Sequence, residues 1–416
     1  MDGVLLRGTF LTMKLREIRQ LIQMEPVELD PVKRRLSHCH NIGDLRRSAR
    51  WLIPRPVFDY VDGAADEETS LAANTAAFRR WRFRPRELVD VAAVDTSTQI
   101  LGRPASLPLA LAPTGYSRMM HPDGEAAVAR AAGRRNLPYT LSTMGTTSIE
   151  DLAAAAHAVG QDEIWYQLYV MRNMDQTRDM VKRAADNGYR VLTLTVDTTF
   201  LGFRSRDERN GLIIPPQLTA RTIASIGSRP AYWMRMLRNP AITFANFPPS
   251  DTGGAIDQNV GKFRADITWD YVAELRASWP GQLLIKGPLG AADARRAVEA
   301  GADGIQLSNH GGRQLDQAVA PIDLVAEVRE AVGPGPTVLI DSGIRHGMDL
   351  AIAVALGADA GLVGRAYLYG LMAGGEPGVD RALELLASQF ERTMQLLGVT
   401  SVAELRKEGP NLLTRS

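Results

Sequence analysis

Cysteine is almost missing: Cys39 is the only one in 416 residues. That excludes an intrachain disulfide and a thiolate-rich metal site, and it points to a reducing, cytoplasmic compartment. Histidine is scarce as well. His38, His40, His121, His157, His310 and His346 contain no helical pair four residues apart, so no metal centre is expected. Neither sign of charge prevails, with 48 basic against 47 acidic residues, and nothing in that balance selects a nucleic acid. Apolar residues never run for the roughly 18 positions that a membrane-spanning helix needs. The N-terminal apolar stretch "MDGVLLRGTFLTMKL" is too short and too charged for a signal-peptide core.

A large apolar fraction is present, and it is patterned. From residue 107 onward, short β-branched and leucine-rich runs alternate with alanine-rich helical segments, the pattern of strand-helix units around a parallel sheet. Eight strands are predicted: 107–114, 139–143, 164–170, 191–197, 283–287, 304–309, 338–343 and 360–365. Helices are predicted at 124–134, 175–187 and 293–300. The segments "DARRAVEAGADGIQLSN" and "DLAIAVALGADAGLVGR" repeat one unit of helix, turn and strand. Eight units with no early Gly-x-Gly-x-x-Gly predict an α/β fold of the closed (β/α)8 (TIM) barrel type over residues 107–397. Residues 1–106 form an N-terminal extension, helical around 54–78 and expected to cover one barrel end. Residues 198–267 form an insertion after strand 4, and 398–416 a C-terminal tail.

The predicted strands end in residues that a packed core would not select. Thr114, Ser142, Gln167 with Tyr169, Thr195 with Asp197, Lys286, Ser308 with His310, Asp341 with Gly343, and Gly364 with Arg365 all lie at carboxyl ends. Barrel enzymes assemble active sites there. Gly343, Arg345, Gly364 and Arg365, after strands 7 and 8, suit a phosphate; two turn-permitting glycines are the plainer reading, which the two arginines outweigh. Lys286 closes an apolar strand and must snorkel or meet an anion. Gln167 both donates and accepts, as a heterocycle with a mixed edge requires. His310 reads as a base if Asp197 orients it and raises its proton affinity; a structural histidine is the alternative. Arg204 and Arg313 supply paired forks for a carboxylate, whereas Arg206 and Arg209 read as surface ion pairs. Between Arg209 and Ser250 lie five arginines and no lysine or acid, with the aromatic cluster "PAYWMRMLRNPAITFANF". Two readings stay open: peripheral contact with an anionic membrane, or a lid or subunit contact whose arginines meet acids elsewhere.

Taken together, "SNHGGRQLD", "APTG", "QLYV", "LTVDT", "IKG", "DSGIRHGMD" and "GRAYLYGLMAGGEPGV" resemble the FMN-dependent L-2-hydroxy acid dehydrogenases and oxidases, most of all the L-lactate dehydrogenase branch. The likeness runs from about Asp59 to Leu397. It implies an FMN cofactor with Pro113, Thr114 and Gly115 along the flavin, and with Ser142, Gln167 and Thr195 bonded to its ring. Lys286 is implied to stabilise the reduced flavin, Ser308 and Asp341 to help hold the ribityl chain, and Gly343, Arg345, Gly364 and Arg365 to hold the phosphate. Tyr60, Tyr169, Arg204 and Arg313 are implied as substrate ligands, and His310 with Asp197 as the base. Gly115 and Ser342 depart from many oxidases, and Met144 from a tryptophan of glycolate oxidase, which favours an acid larger than glycolate. The expected reaction is L-lactate to pyruvate, with electrons passed to a quinone or another non-oxygen acceptor by a cytoplasmic or membrane-peripheral homotetramer. A peroxide-forming oxidase, a mandelate-type dehydrogenase and, more remotely, a phosphate-binding barrel isomerase or a non-enzymatic scaffold are the alternatives.

Overall fold

All eight predicted strands form. The computed structural model describes residues 28–211, 227–247 and 263–416. Strands β1 (Leu109–Leu111), β2 (Tyr139–Ser142), β3 (Ile164–Leu168), β4 (Val191–Thr195), β5 (Gln282–Gly287), β6 (Gly304–Leu307), β7 (Thr337–Ile340) and β8 (Ala360–Val363) run in sequence order, and β8 pairs with β1 to close the barrel. Every pairing is parallel. These strands are buried on both faces, which is why they read as unbroken apolar runs rather than as alternation.

Period-two geometry then sorts the barrel interior by height. Low in the barrel, Ala110, Trp165, Val191, Leu284, Leu339 and Ala360 pack as one cluster with Ile100, Leu101 and Ala105. The last three belong to a hairpin of Thr98–Ile100 and Arg103–Ala105 that caps the amino ends of the strands. Side chains one or two steps further along the same strands are polar: Gln167, Thr195, Lys286 and Asp341 are all buried. Apolar packing therefore fills one end, and the other end is left for chemistry.

The N-terminal extension reaches both ends, not one. Its helical stretch divides into α2 (Arg55–Asp62) and α3 (Thr69–Phe78), because Asp66 and Glu68 take left-handed backbone angles between them. α3 lies over the carboxyl ends of the strands, where Asn74 and Asn309 exchange two buried amide bonds of 2.8 and 2.7 Å. Before them α1 (Ile42–Leu52) is capped by Asn41, whose side chain accepts from the Asp44 amide at 3.0 Å. Residues 398–416, expected as a tail, are packed structure: a helix at Val402–Leu412, then Leu413–Arg415 paired antiparallel with Trp81–Phe83. The pairing spans more than 300 residues of sequence, so no local pattern announced it.

Of the insertion, α4 (Ser205–Arg209) and α5 (Pro230–Leu237) are described; residues 212–226 and 248–262, with Arg221 among them, lie outside the described residues. Tyr232 of α5 donates to the Met119 carbonyl at 2.7 Å, and Phe244 packs edge-on against Tyr116 at 4.5 Å. Around these anchors Phe200, Leu201, Phe203, Met234 and Leu237 are exposed. No described helix is long and apolar enough to cross a membrane.

Candidate active site

One cavity opens at the carboxyl ends of the strands, and the polar strand ends converge on it. Pro113, Thr114, Gly115, Ser142, Gln167, Tyr169, Lys286, Ser308 and His310 line it, as do Asp341, Gly343, Arg345, Gly364 and Arg365. Tyr60 from α2 joins them, with Arg204 just before α4 and Arg313 after β6. Two of the residues singled out in the sequence, Asp197 and Thr195, do not reach the cavity and stand one bond behind it. Thr195 accepts from Gln167 Nε2 at 3.0 Å, while Gln167 Oε1 accepts from the Ser142 hydroxyl at 3.0 Å, so the three form one chain across β2, β3 and β4. Parallel register explains it, since Ser142 stands beside Gln167.

His310 is fixed from every side. Its amide donates to Ser308 Oγ at 3.0 Å, Nδ1 faces Asp197 Oδ1 at 3.2 Å, and Nε2 faces the Tyr169 hydroxyl at 3.3 Å. Its backbone is left-handed, with φ of 59°, uncommon for a residue that is not glycine. Hydrogen bonding to a carboxylate places the ring proton on Nδ1 and leaves the Nε2 lone pair toward the cavity. The expected rise in proton affinity does not occur. Burial and the Lys286 ammonium, 3.4 Å from Nδ1, lower the His310 pKa, and they outweigh the opposing charge and hydrogen bond of Asp197. The ring is thus neutral near pH 7, the state in which it can accept a proton. Burial alone would raise Asp197, but Lys286 and His310 together bring it down to about 2, so it stays a carboxylate.

Two guanidiniums form the other wall. Arg313 donates to the Tyr60 carbonyl at 2.6 Å and the Gly63 carbonyl at 3.1 Å, and lies 4.9 Å over the Tyr60 ring. Burial first, then neighbouring Arg204, lowers its pKa to about 10. Arg204 Nε is buried with no hydrogen-bond partner among the described residues. Two neighbouring cations, one with an unspent donor, are chemically suited to a carboxylate.

At β7 and β8 the donor set fits a phosphate. Gly343 has φ of 111°, and a Cβ there would sit 2.4 Å from the Asn74 carbonyl, so only glycine permits this approach. Arg365 is buried, spends its donors on the carbonyls of Val61, Gly311 and Gly63 at 2.7–2.8 Å, and is lowered by burial to about 9. Neither Arg345 nor Arg365 ion-pairs with a carboxylate among the described residues. Lys286 provides another buried cation beside the Ser142, Gln167 and Thr195 chain. A flavin phosphate and an electron-rich ring are the groups that this charge pattern suits.

Over residues 49–412 the chain matches the family model of FMN-dependent dehydrogenases. The chain belongs to that family. It is 44% identical over 394 residues to a Mycobacterium tuberculosis protein that carries an L-lactate dehydrogenase name, covering 94% of each chain. It is 39% identical over 368 residues to the (S)-mandelate dehydrogenase of Pseudomonas putida, covering 88% of this chain and 92% of that one. Among solved structures, the monotopic membrane protein (S)-mandelate dehydrogenase superposes with a TM-score of 0.86 at 38% identity, over 91% of this chain and 100% of that one. The chain is therefore an FMN enzyme that oxidises a 2-hydroxy acid.

Several cavity residues escaped sequence reasoning. Phe263 stacks on Tyr169 at 4.8 Å, brought there by an isolated bridge to Met171 after the long insertion. Tyr116, Met120, Thr198 and Leu201 complete the apolar wall with Met144, and all look like ordinary core or loop residues in sequence. Glu125 is wholly buried and accepts from the amides of Ser117 and Thr146 and the hydroxyls of Thr146 and Thr147. A glutamate opening an alanine-rich helix carries no signal of that role.

Proposed function

We propose that the chain oxidises L-lactate to pyruvate and passes the electrons to a membrane quinone. The observation that carries the reaction type is His310, a neutral imidazole aimed into the cavity between Asp197 and Tyr169, opposite Arg204 and Arg313. Arg313 and Arg204 bind the substrate carboxylate, with Tyr60 completing the clamp, and this fixes the 2-hydroxyl carbon near His310. His310 takes a proton at Nε2, and Asp197 stabilises the imidazolium that results. Pro113, Thr114 and Gly115 would line the flavin, Ser142 and Gln167 would address its ring with Thr195 holding the Gln167 amide from behind, Ser308 and Asp341 would meet the ribityl chain, and Gly343, Arg345, Gly364 and Arg365 the phosphate. Bound FMN supplies the two-electron acceptor, and Lys286 places positive charge beside it.

The lactate reading is supported by the L-lactate dehydrogenase relative. A second reading, an aryl substrate of the mandelate kind, is favoured by the wall of Met144, Leu201, Phe263 and Tyr116, whose methionine adapts to larger groups. The quinone is supported by the exposed Phe200, Phe203, Met234 and Leu237, by arginines in the same segment, and by the monotopic membrane neighbour. A lid or a subunit contact, in which these arginines meet acids elsewhere, is the other reading of the segment. Anaerobic mixing with L-lactate should bleach the flavin absorbance. His310→Gln should keep the yellow colour and lose the bleaching. Normal bleaching in that variant refutes the role of His310, and a much higher kcat/KM for (S)-mandelate than for L-lactate selects the aryl reading.

A further inference from the structure

A second cavity of about 500 Å³ lies behind the substrate clamp, between α1, α2, α4 and the start of α5. Its walls carry Arg46, Arg50, Arg55, Arg206, Arg209 and Arg229. Helical spacing explains the concentration: Arg46 and Arg50 are four apart on α1, and Arg206 and Arg209 three apart on α4, so each pair shares a face.

Two carboxylates line the cavity, and both are already engaged. Asp62 takes Arg46 through two bonds of 2.6 and 2.8 Å, Arg206 at 3.0 Å and the Tyr369 hydroxyl at 2.8 Å. Asp59 takes Arg55 at 3.2 Å and the Asn210 amide at 2.9 Å. Arg206 ion-pairs further with Glu68, as the sequence led one to expect. Arg50, Arg209 and Arg229 have no acidic partner among the described residues, and Arg229 Nε is buried without a hydrogen-bond partner there. Three guanidiniums without an acidic partner among the described residues, two of them exposed, give this space a positive potential that an anion would meet. A monocarboxylate offers two oxygens, whereas a phosphate offers enough acceptors to meet several arginine forks at once.

We propose that this cavity is a phosphate-binding site, separate from the one assigned to the flavin. The phosphate is either free or the headgroup of an anionic lipid, for Trp51 and Phe203 stand exposed on the flanking segments. Bound there, it ties α1 to α4 by charge.

The test uses the full-length flavin-bound protein, so that the flavin's own phosphate site is filled and no turnover is needed. Inorganic phosphate is titrated calorimetrically at constant ionic strength. In parallel the protein is sedimented with phosphatidylglycerol vesicles and with phosphatidylcholine vesicles brought to equal surface charge with a fatty acid. The variant is Arg50→Ala with Arg209→Ala, two exposed side chains with no ion pair among the described residues; Arg50→Gln with Arg209→Gln replaces it if the flavin spectrum or melting midpoint of the first is altered. Saturable binding of inorganic phosphate, weakened about tenfold or more in the variant, supports the site with a free ligand. Preferential binding to phosphatidylglycerol vesicles, lost to the same extent, supports it with a lipid headgroup. Binding of neither probe, or equal binding by the variant, overturns the proposal, and equal sedimentation with fatty-acid vesicles overturns the lipid headgroup as the source.

Discussion

Changing Asp197 to asparagine separates the electrostatic part of the base from its placement. The substitution is nearly isosteric, and the position is buried, so the ring of His310 keeps its walls. Two things are lost. The carboxylate accepts the Nδ1 proton and so holds the lone pair on Nε2, whereas an amide can donate to Nδ1 and move the proton to the cavity side. The carboxylate also faces the imidazolium formed during turnover at 3.2 Å. At an effective dielectric of about 20, unit charges that far apart interact by roughly 5 kcal/mol. Part of this is recovered by relaxation around the neutral amide, leaving about 3–5 kcal/mol, or roughly 10²- to 10⁴-fold in rate. Stopped-flow reduction of the bound flavin by L-lactate, without oxygen, measures it directly. Since Asp197 raises the His310 pKa against burial and Lys286, its removal lowers that pKa further, and higher pH cannot restore the rate. A variant with an unaltered flavin spectrum that reduces within about threefold of the parent would refute the pairing, as would recovery at alkaline pH.

Lys286→Met removes the charge that, after burial, most depresses His310. The histidine pKa then rises, so the acid limb of the rate profile moves to higher pH and activity at pH 6 falls relative to pH 8; an unmoved limb on a pH series contradicts the coupling. Glu125→Ala leaves the Ser117 and Thr146 amides and two threonine hydroxyls unpaired in a buried site. A loss of roughly 2–4 kcal/mol is expected, read as a lower urea midpoint, and a change below about 1 kcal/mol would mean that solvent replaces the carboxylate.

The barrel was legible because its strands are buried on both faces, a condition that writes itself into sequence as short apolar runs closed by a polar residue. Lys286 illustrates why the site was legible too: a lysine ending "LLIKG" is too costly to bury without a purpose. What stayed hidden depends on closure of the chain in three dimensions. Phe263 reaches Tyr169 only across the insertion, and Asn74 finds Asn309 from 235 positions away. The direction of the His310 shift was misjudged for the same reason: Asp197 was visible as a partner, but the nearness of Lys286 and the depth of burial were not.

The left-handed backbone at residue 310 sets catalysis against durability. A residue with a side chain is uncommon at φ of 59°, histidine less so than most, and glycine tolerates it better. Directed evolution for heat resistance alone should drift away from the imidazole at this place, and libraries screened without turnover would enrich sturdier, inert proteins.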